Sequence, residues 1–335
     1  MAKEVVLSGI RPTGFLHLGN YFGAMQNYVR MQDEYDCYFF VANWHSLTTH
    51  PDTSELKNSV HRVIAENIAC GLDPEKVALY VQSDVPEIAE LYLYLNTMAY
   101  KGELEKTTTF KEKVRLSPDN VNAGLLTYPV LMAADILIHR ALKVPVGKDQ
   151  EQHLEMARNF AERFNHRYGE VFPLPQAFNF GGELVKIMSL DGNGKMSKSE
   201  NQMNTIFLAD EDEQIIKKIM KAKTDGGPAE PNSIKPNYIE NLFTLLSQVS
   251  SAETVNKFEA DFNSSSAGNC IIRYGDLKKQ LAADMVEFIK PIRTKAATIQ
   301  EDKDLLQNII RLGAEKARVS ASETLKLVRD AMGMN

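Results

Sequence analysis

Three places along the 335-residue chain combine side chains in patterns that could do chemistry. The first is Gly192-Asn193-Gly194-Lys195-Met196-Ser197-Lys198-Ser199. Two lysines and two hydroxyls beside glycines make a mobile, cationic loop rich in hydrogen-bond donors. Phosphoryl transfer spreads negative charge over several oxygens, and its catalysis is mostly positioning and electrostatic stabilisation. A solvated loop with no ligand also contains lysine and serine, so this segment alone leaves both readings open. The second place is Ser8-Gly9-Ile10-Arg11-Pro12-Thr13-Gly14-Phe15-Leu16-His17-Leu18-Gly19-Asn20, which lies between an apolar run and an amphipathic one. Glycines let a backbone approach a ligand, and a helix start presents unpaired N–H groups to phosphate oxygens. His17 can donate to a phosphate, and Gly19 leaves room for a base or ribose. Neither G-x-x-x-x-G-K-[ST] nor G-x-G-x-x-G is present, so two common nucleotide-binding patterns are excluded. The third place is Tyr128, Met132 and Asp135, spaced i, i+4, i+7 and therefore on one side of a helix. An aromatic, apolar face with a single carboxylate suits a flat aromatic ligand carrying one hydrogen-bond donor. An indole N–H is such a donor, and it cannot accept. Core packing for the first two residues and a salt bridge for the third are the competing explanation.

The segments that must position these groups alternate in type. Glu4 to Leu7 is a short β-branched run, Cys37 to Ala42 is continuously apolar, and Val77 to Val81 is apolar again. Buried parallel strands read this way. Helical spacing follows Gly19, with Phe22, Met25, Tyr28 and Val29, and again from Pro51 to about Ala69. This βαβαβ order predicts an α/β fold with an open parallel sheet covered by helices, whose ligands bind beyond the carboxyl ends of the strands. Pro129 is expected to open the helix that carries Met132 and Asp135, because proline favours an early helical position. Val144 and Val146 alternate on a further short strand, and Gly147 to Gln150 turns into the next helix. After about Thr205 strand-like runs vanish and five helical segments follow, within 212–223, 238–249, 252–262, 275–297 and 305–332. The expected organisation is an α/β domain over 1–205 and an all-helical domain over 206–335, whose last helix could return to pack on the first domain.

Composition narrows the class. A hydrophobic share of 44% with 24% charged residues fits a globular chain, and no apolar run is long enough to span a membrane. The first residues lack the features of a secretory signal, and Cys37, Cys70 and Cys270 stand far apart without metal-ligand spacing. Reduced thiols in the cytoplasm, and no protein-ligated metal, are the expectation. Net charge is −6, so a nucleic-acid partner would have to be met by local patches of Lys and Arg.

His17-Leu18-Gly19-Asn20 resembles the first signature of the class I aminoacyl-tRNA synthetases, His-Ile-Gly-His, and Lys195-Met196-Ser197-Lys198-Ser199 matches their second at every position. The two stand in the family's order. Thr127 to Leu137 and Lys143 to His153 resemble the bacterial-type, tryptophan-specific branch of that family. The likeness extends over essentially the whole chain, through Thr109 to Lys113, Ile187 to Leu190 and Gly313 to Ala317. The resemblance implies a Rossmann-type catalytic domain, a helical anticodon-binding domain and a homodimer. It implies ATP, L-tryptophan and tRNA(Trp) as partners, with Mg²⁺ arriving on the nucleotide. Asp135 would accept the indole N–H, Tyr128, Met132, Val144 and Val146 would wall the ring with Leu7 and His45 nearby, and Gln150 would orient the amino-acid end. Arg11, Pro12, Thr13, Gly19, Asn20, Gly147, Lys148, Asp149, Ile187, Met196, Ser197 and Ser199 would contact ATP. His17, Lys113, Lys195 and Lys198 would serve catalysis, the lysines on the phosphates. Arg11 and Lys148 depart from the Gln and Glu common in the family, and both add positive charge beside the nucleotide. Asn43 stands where Asp is common.

Three rivals remain at this level. A tyrosine-specific relative shares both signatures, but a phenol donates and accepts and so asks for more than one polar partner at the ring's far end. A non-catalytic binder of tRNA or amino acid would not need both signatures intact. A small nucleotidyltransferase would not need the helices after Thr205. Lys217, Lys218, Lys221 and Lys223, with Lys278, Lys279, Arg293 and Lys295, could face an RNA backbone, or simply water.

Overall fold

The computed structural model describes residues 3–334 apart from 13, 50, 51, 117, 148, 149, 179, 181–184 and 198–201. Its elements run β1 (Val5–Ile10), α1 (Leu18–Asn20), α2 (Gln26–Glu34), β2 (Asp36–Val41), α3 (Asn43–Ser46), α4 (Leu56–Ala69) and β3 (Ala78–Val81). There follow α5 (Glu87–Asn96), α6 (Lys101–Leu104), α7 (Thr108–Leu116), α8 (Ala123–Ile138), β4 (Lys143–Val144), α9 (Glu151–Tyr168) and β5 (Gln176–Ala177). Five helices close the chain: α10 (Asp212–Met220), α11 (Asn237–Val249), α12 (Ala252–Asn263), α13 (Tyr274–Glu301) and α14 (Lys303–Met332).

The five strands form one parallel sheet in the order β3-β2-β1-β4-β5. Val5 pairs with Asp36 and Tyr38 with Ala78, so the three apolar runs of the sequence lie side by side. Strand order reverses at β1, between β2 on one side and β4 on the other. A crevice at such a reversal is where open α/β sheets bind ligands.

The chain divides into two compact units that are not the two contiguous spans expected from the sequence. The first comprises 1–13, 29–182 and 302–335; the second comprises 14–28 and 183–301. In the first unit Phe40, Tyr80, Ile88, Ile136, Phe160 and Phe164 belong to one buried apolar cluster. The last helix, α14, belongs to this unit and packs on β3 and α5. Arg318 and Arg329 on α14 reach Glu87 and Glu90 on α5 at 3.1 and 2.7 Å. Segment 14–28 joins the second unit because its main chain is bonded there. Leu18 N–H donates to Ile206 C=O at 3.1 Å, and Leu208 N–H to Leu16 C=O at 2.8 Å.

One helix start differs from expectation. α8 begins at Ala123, six residues before Pro129. Asn122 caps it, its side-chain oxygen accepting the N–H of Leu125 at 2.9 Å. Proline costs an interior helix one hydrogen bond and a clash, yet here the residue lies in the second turn, buried against neighbours, and the helix continues through it. Val146, expected on a strand with Val144, lies two residues past the end of β4.

Candidate functional site

In the first unit the site is built around Asp135, which α8 carries into the interior with no solvent exposure. Its Oδ1 accepts from the Gln82 side-chain nitrogen at 2.7 Å, and His45 Nε2 stands 2.8 Å from Oδ2. A carboxylate can only accept, so the imidazole nitrogen donates. Burial pushes the Asp135 carboxyl up from its ordinary pKa, while the hydrogen bond and charge of His45 and the hydrogen bond from Gln82 pull against that shift. β3 ends one residue before Gln82, and His45 comes from α3, which follows β2. All three groups therefore sit at or just past the carboxyl ends of strands or on the helix facing them.

The apolar residues assigned to the ring pocket lie in the same unit. Leu7 and Val144 are in the main core, and Met132, Val146 and Trp44 pack against it half-buried. Tyr128, also on α8, directs its hydroxyl to His153 Nε2 on α9 at 2.9 Å, with the rings edge to face at 5.2 Å. Burial raises the Tyr128 phenol, and the nearby Thr109 and Arg11 lower it. The Lys113 ammonium of α7 stands 5.0 Å from the centre of the Tyr128 ring. Burial, then the charge of Arg11, lowers the Lys113 pKa. Gln150 is the residue before α9, and its N–H donates to Gly147 C=O at 2.9 Å. Arg11 is exposed and Pro12 buried. Thr13, Lys148 and Asp149 lie outside the described residues.

The second unit holds both signatures. His17 is the residue before α1; its N–H donates to Asn20 Oδ1 at 3.1 Å, and Asn20 N–H returns to His17 C=O at 2.8 Å. A methyl at Gly19 would stand 3.0 Å from the His17 ring and 3.5 Å from Met196 Cβ. The tight contact is with the His17 ring within the first signature, while the distance to Met196 is an ordinary van der Waals contact between the two signatures. Lys195 and Met188 form an antiparallel bridge, and Met196 N–H donates to Ile187 C=O at 3.0 Å. The turn between them uses left-handed Gly192 and Gly194, at φ 76° and 103°. Asp191 ties it, accepting from Ser189 Oγ, from Asn193 N–H at 3.0 Å and from Asn204 at 2.7 Å. The side chain of Asn241 grips Met188 from N–H (2.9 Å) to C=O (3.0 Å). The Lys195 side chain projects to solvent from this frame, and Ser197 C=O accepts from Thr205 Oγ1 at 2.9 Å. Ile187 and Met196 are buried, so they can offer a nucleotide only main chain. Lys198 and Ser199 lie outside the described residues. A cavity of about 640 Å³ beside the first signature is lined by Phe15, Phe207, Met203 and Lys217 among others.

The model of the class I tRNA synthetases for tryptophan and tyrosine matches residues 2–290. The tryptophan–tRNA ligase of Porphyromonas gingivalis is 59% identical over 331 residues, covering 98% of this chain and 99% of that protein. The chain belongs to the bacterial-type tryptophanyl-tRNA synthetases. The solved tryptophanyl-tRNA synthetase of Campylobacter jejuni, complexed with ADP and tryptophan, has a TM-score of 0.86 at 33% identity, covering 98% of this chain and 99% of that one. That of Mycoplasma pneumoniae has a TM-score of 0.83 at 33% identity, covering 100% and 99%. The synthetase is thus an ATP-dependent aminoacyl-tRNA ligase with the Rossmann-type sheet of its class.

Gln82 and His153 are bonded to the candidate residues Asp135 and Tyr128 yet carry no sequence pattern. A position at the end of an apolar strand is the one signal that could have marked Gln82, since ligands of open sheets gather there. His153 occupies a core position of α9, where a histidine is most simply a packing residue.

Proposed function

We propose that this synthetase activates L-tryptophan with ATP and passes it to tRNA(Trp). The observation that carries the reading is Asp135: a fully buried carboxylate to which Gln82 and His45 both donate. Such a group asks its ligand for a donor. The indole N–H supplies one, whereas a phenol would leave its own acceptor unused.

In the first step an oxygen of the tryptophan carboxylate attacks the α-phosphorus of ATP. The bond to the bridging oxygen breaks, pyrophosphate leaves, and tryptophanyl-adenylate forms. In the second step a ribose hydroxyl of the terminal adenosine of tRNA attacks the carbonyl carbon, and AMP departs. Asp135 accepts the indole N–H, with Leu7, Met132, Val144 and Val146 around the ring and Tyr128 and His45 alongside. Gln150 orients the amino-acid end. Arg11 and Lys113 supply cations from the first unit, and Gly147 supplies main chain. In the second unit His17 donates to phosphate, Gly19 and Asn20 shape the nucleotide's surroundings, and Lys195 meets the charge that develops as pyrophosphate leaves. Lys198, Ser199, Lys148, Asp149 and Thr13 are assigned to the same nucleotide on sequence alone. Mg²⁺ comes with the phosphates, whose oxygens it prefers to protein side chains, and when bound it offsets charge on the pyrophosphate. Among the described residues no three His, Cys, Asp or Glu side chains are grouped to hold an ion. Anticodon recognition is assigned to α10–α13, and the working state to a homodimer in the cytoplasm.

The test is amino-acid-dependent ATP–pyrophosphate exchange with each of the twenty amino acids in turn. Exchange with tryptophan alone is expected. Exchange with tyrosine instead would keep the chemistry and overturn the Asp135 pocket; no exchange with any amino acid would overturn the catalytic reading.

A further inference from the structure

An acceptor that selects a donor must itself be kept an acceptor. Burial favours the neutral acid, whose O–H could meet a ring atom that accepts. Gln82 stands against this. It is wholly buried in the turn Gln82–Asp84 after β3. Its side-chain oxygen accepts the main-chain N–H of Trp44 at 3.0 Å, and its nitrogen donates to Asp135 Oδ1 at 2.7 Å. A main-chain N–H can only donate, so the contact with Trp44 settles which end of the amide is oxygen. The end facing Asp135 is NH₂. One residue further along, Asn43 repeats the link: its nitrogen donates to Ser83 Oγ at 2.8 Å, and its oxygen accepts Ser83 N–H at 3.1 Å. Three hydrogen bonds thus lock the start of α3 to the turn after β3, and Gln82 extends the lock to α8.

We propose that Gln82 is the positioning and specificity-determining residue of the side-chain pocket, holding Asp135 by a donated hydrogen bond so that its carboxylate meets the substrate only as an acceptor and selects an aromatic amino acid whose ring carries N–H. The inference rests on the assignment of Asp135 to that pocket. A carboxylate has about four lone-pair sites; Gln82 and His45 occupy two, leaving capacity for a ligand.

The experiment compares tryptophan with its benzothienyl analogue, in which sulfur replaces the ring N–H, in ATP–pyrophosphate exchange. Wild type, Asp135→Ala, Gln82→Met and Gln82→Glu are measured, with thermal melts to show that each is folded. Gln82→Met is expected to raise KM for tryptophan about tenfold or more, change kcat less than about threefold, and narrow the preference over the analogue at least tenfold. Gln82→Glu, which still accepts from Trp44 but sets a second carboxyl against Asp135, is expected to narrow it further; it decides by the same ratio should Gln82→Met not fold. A merely structural role would lower both substrates alike and leave the ratio unchanged. If Asp135→Ala keeps the wild-type preference, the pocket assignment fails and the role of Gln82 with it. If Asp135→Ala loses the preference while both Gln82 variants keep it, only the role of Gln82 is overturned.

Discussion

Lys195 joins an exposed ammonium to a main chain paired with a neighbouring segment. Its backbone is bridged to Met188, and Met188 is held at both ends by Asn241. A cation so placed adds little to folding and can spend its interaction on charge that appears during reaction. Lys195→Ala is therefore expected to slow tryptophan-dependent exchange by about 10²–10³-fold, the usual loss for one preorganised group on developing charge. KM for ATP should move by less than about threefold, and the melting temperature hardly at all. A large rise in KM with kcat intact would place the lysine in ground-state binding instead. Both signatures could be read from the sequence because each is a contiguous string of residue types with few uses in combination. Gln82 could not, since its two partners lie 38 and 53 residues away and no local spacing announces them. Asp135 falls between: its helical neighbours were visible, but His45 opposite it comes from another element, 90 residues off.

At the scale of elements, His139 ends α8 where three other elements meet. It stacks on Tyr38 of β2 at 4.4 Å, pairs with the Tyr80 hydroxyl of β3 at 2.9 Å, and its Nδ1 lies 3.3 Å from Ser320 Oγ of α14. Burial drives its pKa down to about 3, so the folded protein holds it neutral. In the unfolded chain it titrates near its ordinary value of about 6.5. Below that pH the unfolded state takes up a proton that the folded state refuses. Stability is thus fully present above about pH 6.5 and is lost as pH falls toward 3, by about 1.4 kcal/mol per unit. His139→Gln keeps a polar partner for Tyr80 without titrating. Between pH 7 and pH 5 the wild type should lose about 2 kcal/mol more than this variant, measured by urea unfolding at both pH values. Equal losses would assign the acid sensitivity elsewhere. Elements with long periodic patterns, such as α4 and α11 to α14, are legible. β5, two exposed residues long, has no periodicity to read, and the start of α8 was hidden because Pro129 marks a helix opening more often than a helix interior.

At the scale of the whole molecule, the order of the chain is not the order of its compact units. Residues 302–335 come last yet belong with β1 to β5, and nothing in the composition of a single amphipathic helix says which unit it will join. Gly313 records the answer. It lies where α14 crosses β3, and a Cβ there would come within 1.8 Å of the Leu79 carbonyl oxygen. A backbone atom of a strand paired along its length with β2 cannot swing aside as a side-chain tip could, so the helix itself must lift. Gly313→Ala is expected to cost at least about 1–3 kcal/mol, the range for overpacking a close contact, and to lower the melting temperature by roughly 3–10 °C. β3 leads directly into Gln82, so lifting α14 should also raise KM for tryptophan. Gly102→Ala supplies the contrast. It sits in α6 with no atom within 4 Å of the added methyl, so the lower backbone entropy of the unfolded chain should stabilise the protein by about 0.5–1 kcal/mol. If both substitutions behaved alike, α14 would not be seated on β3 through Gly313. Opposite signs from the same chemical change would locate the return of the chain end at that residue.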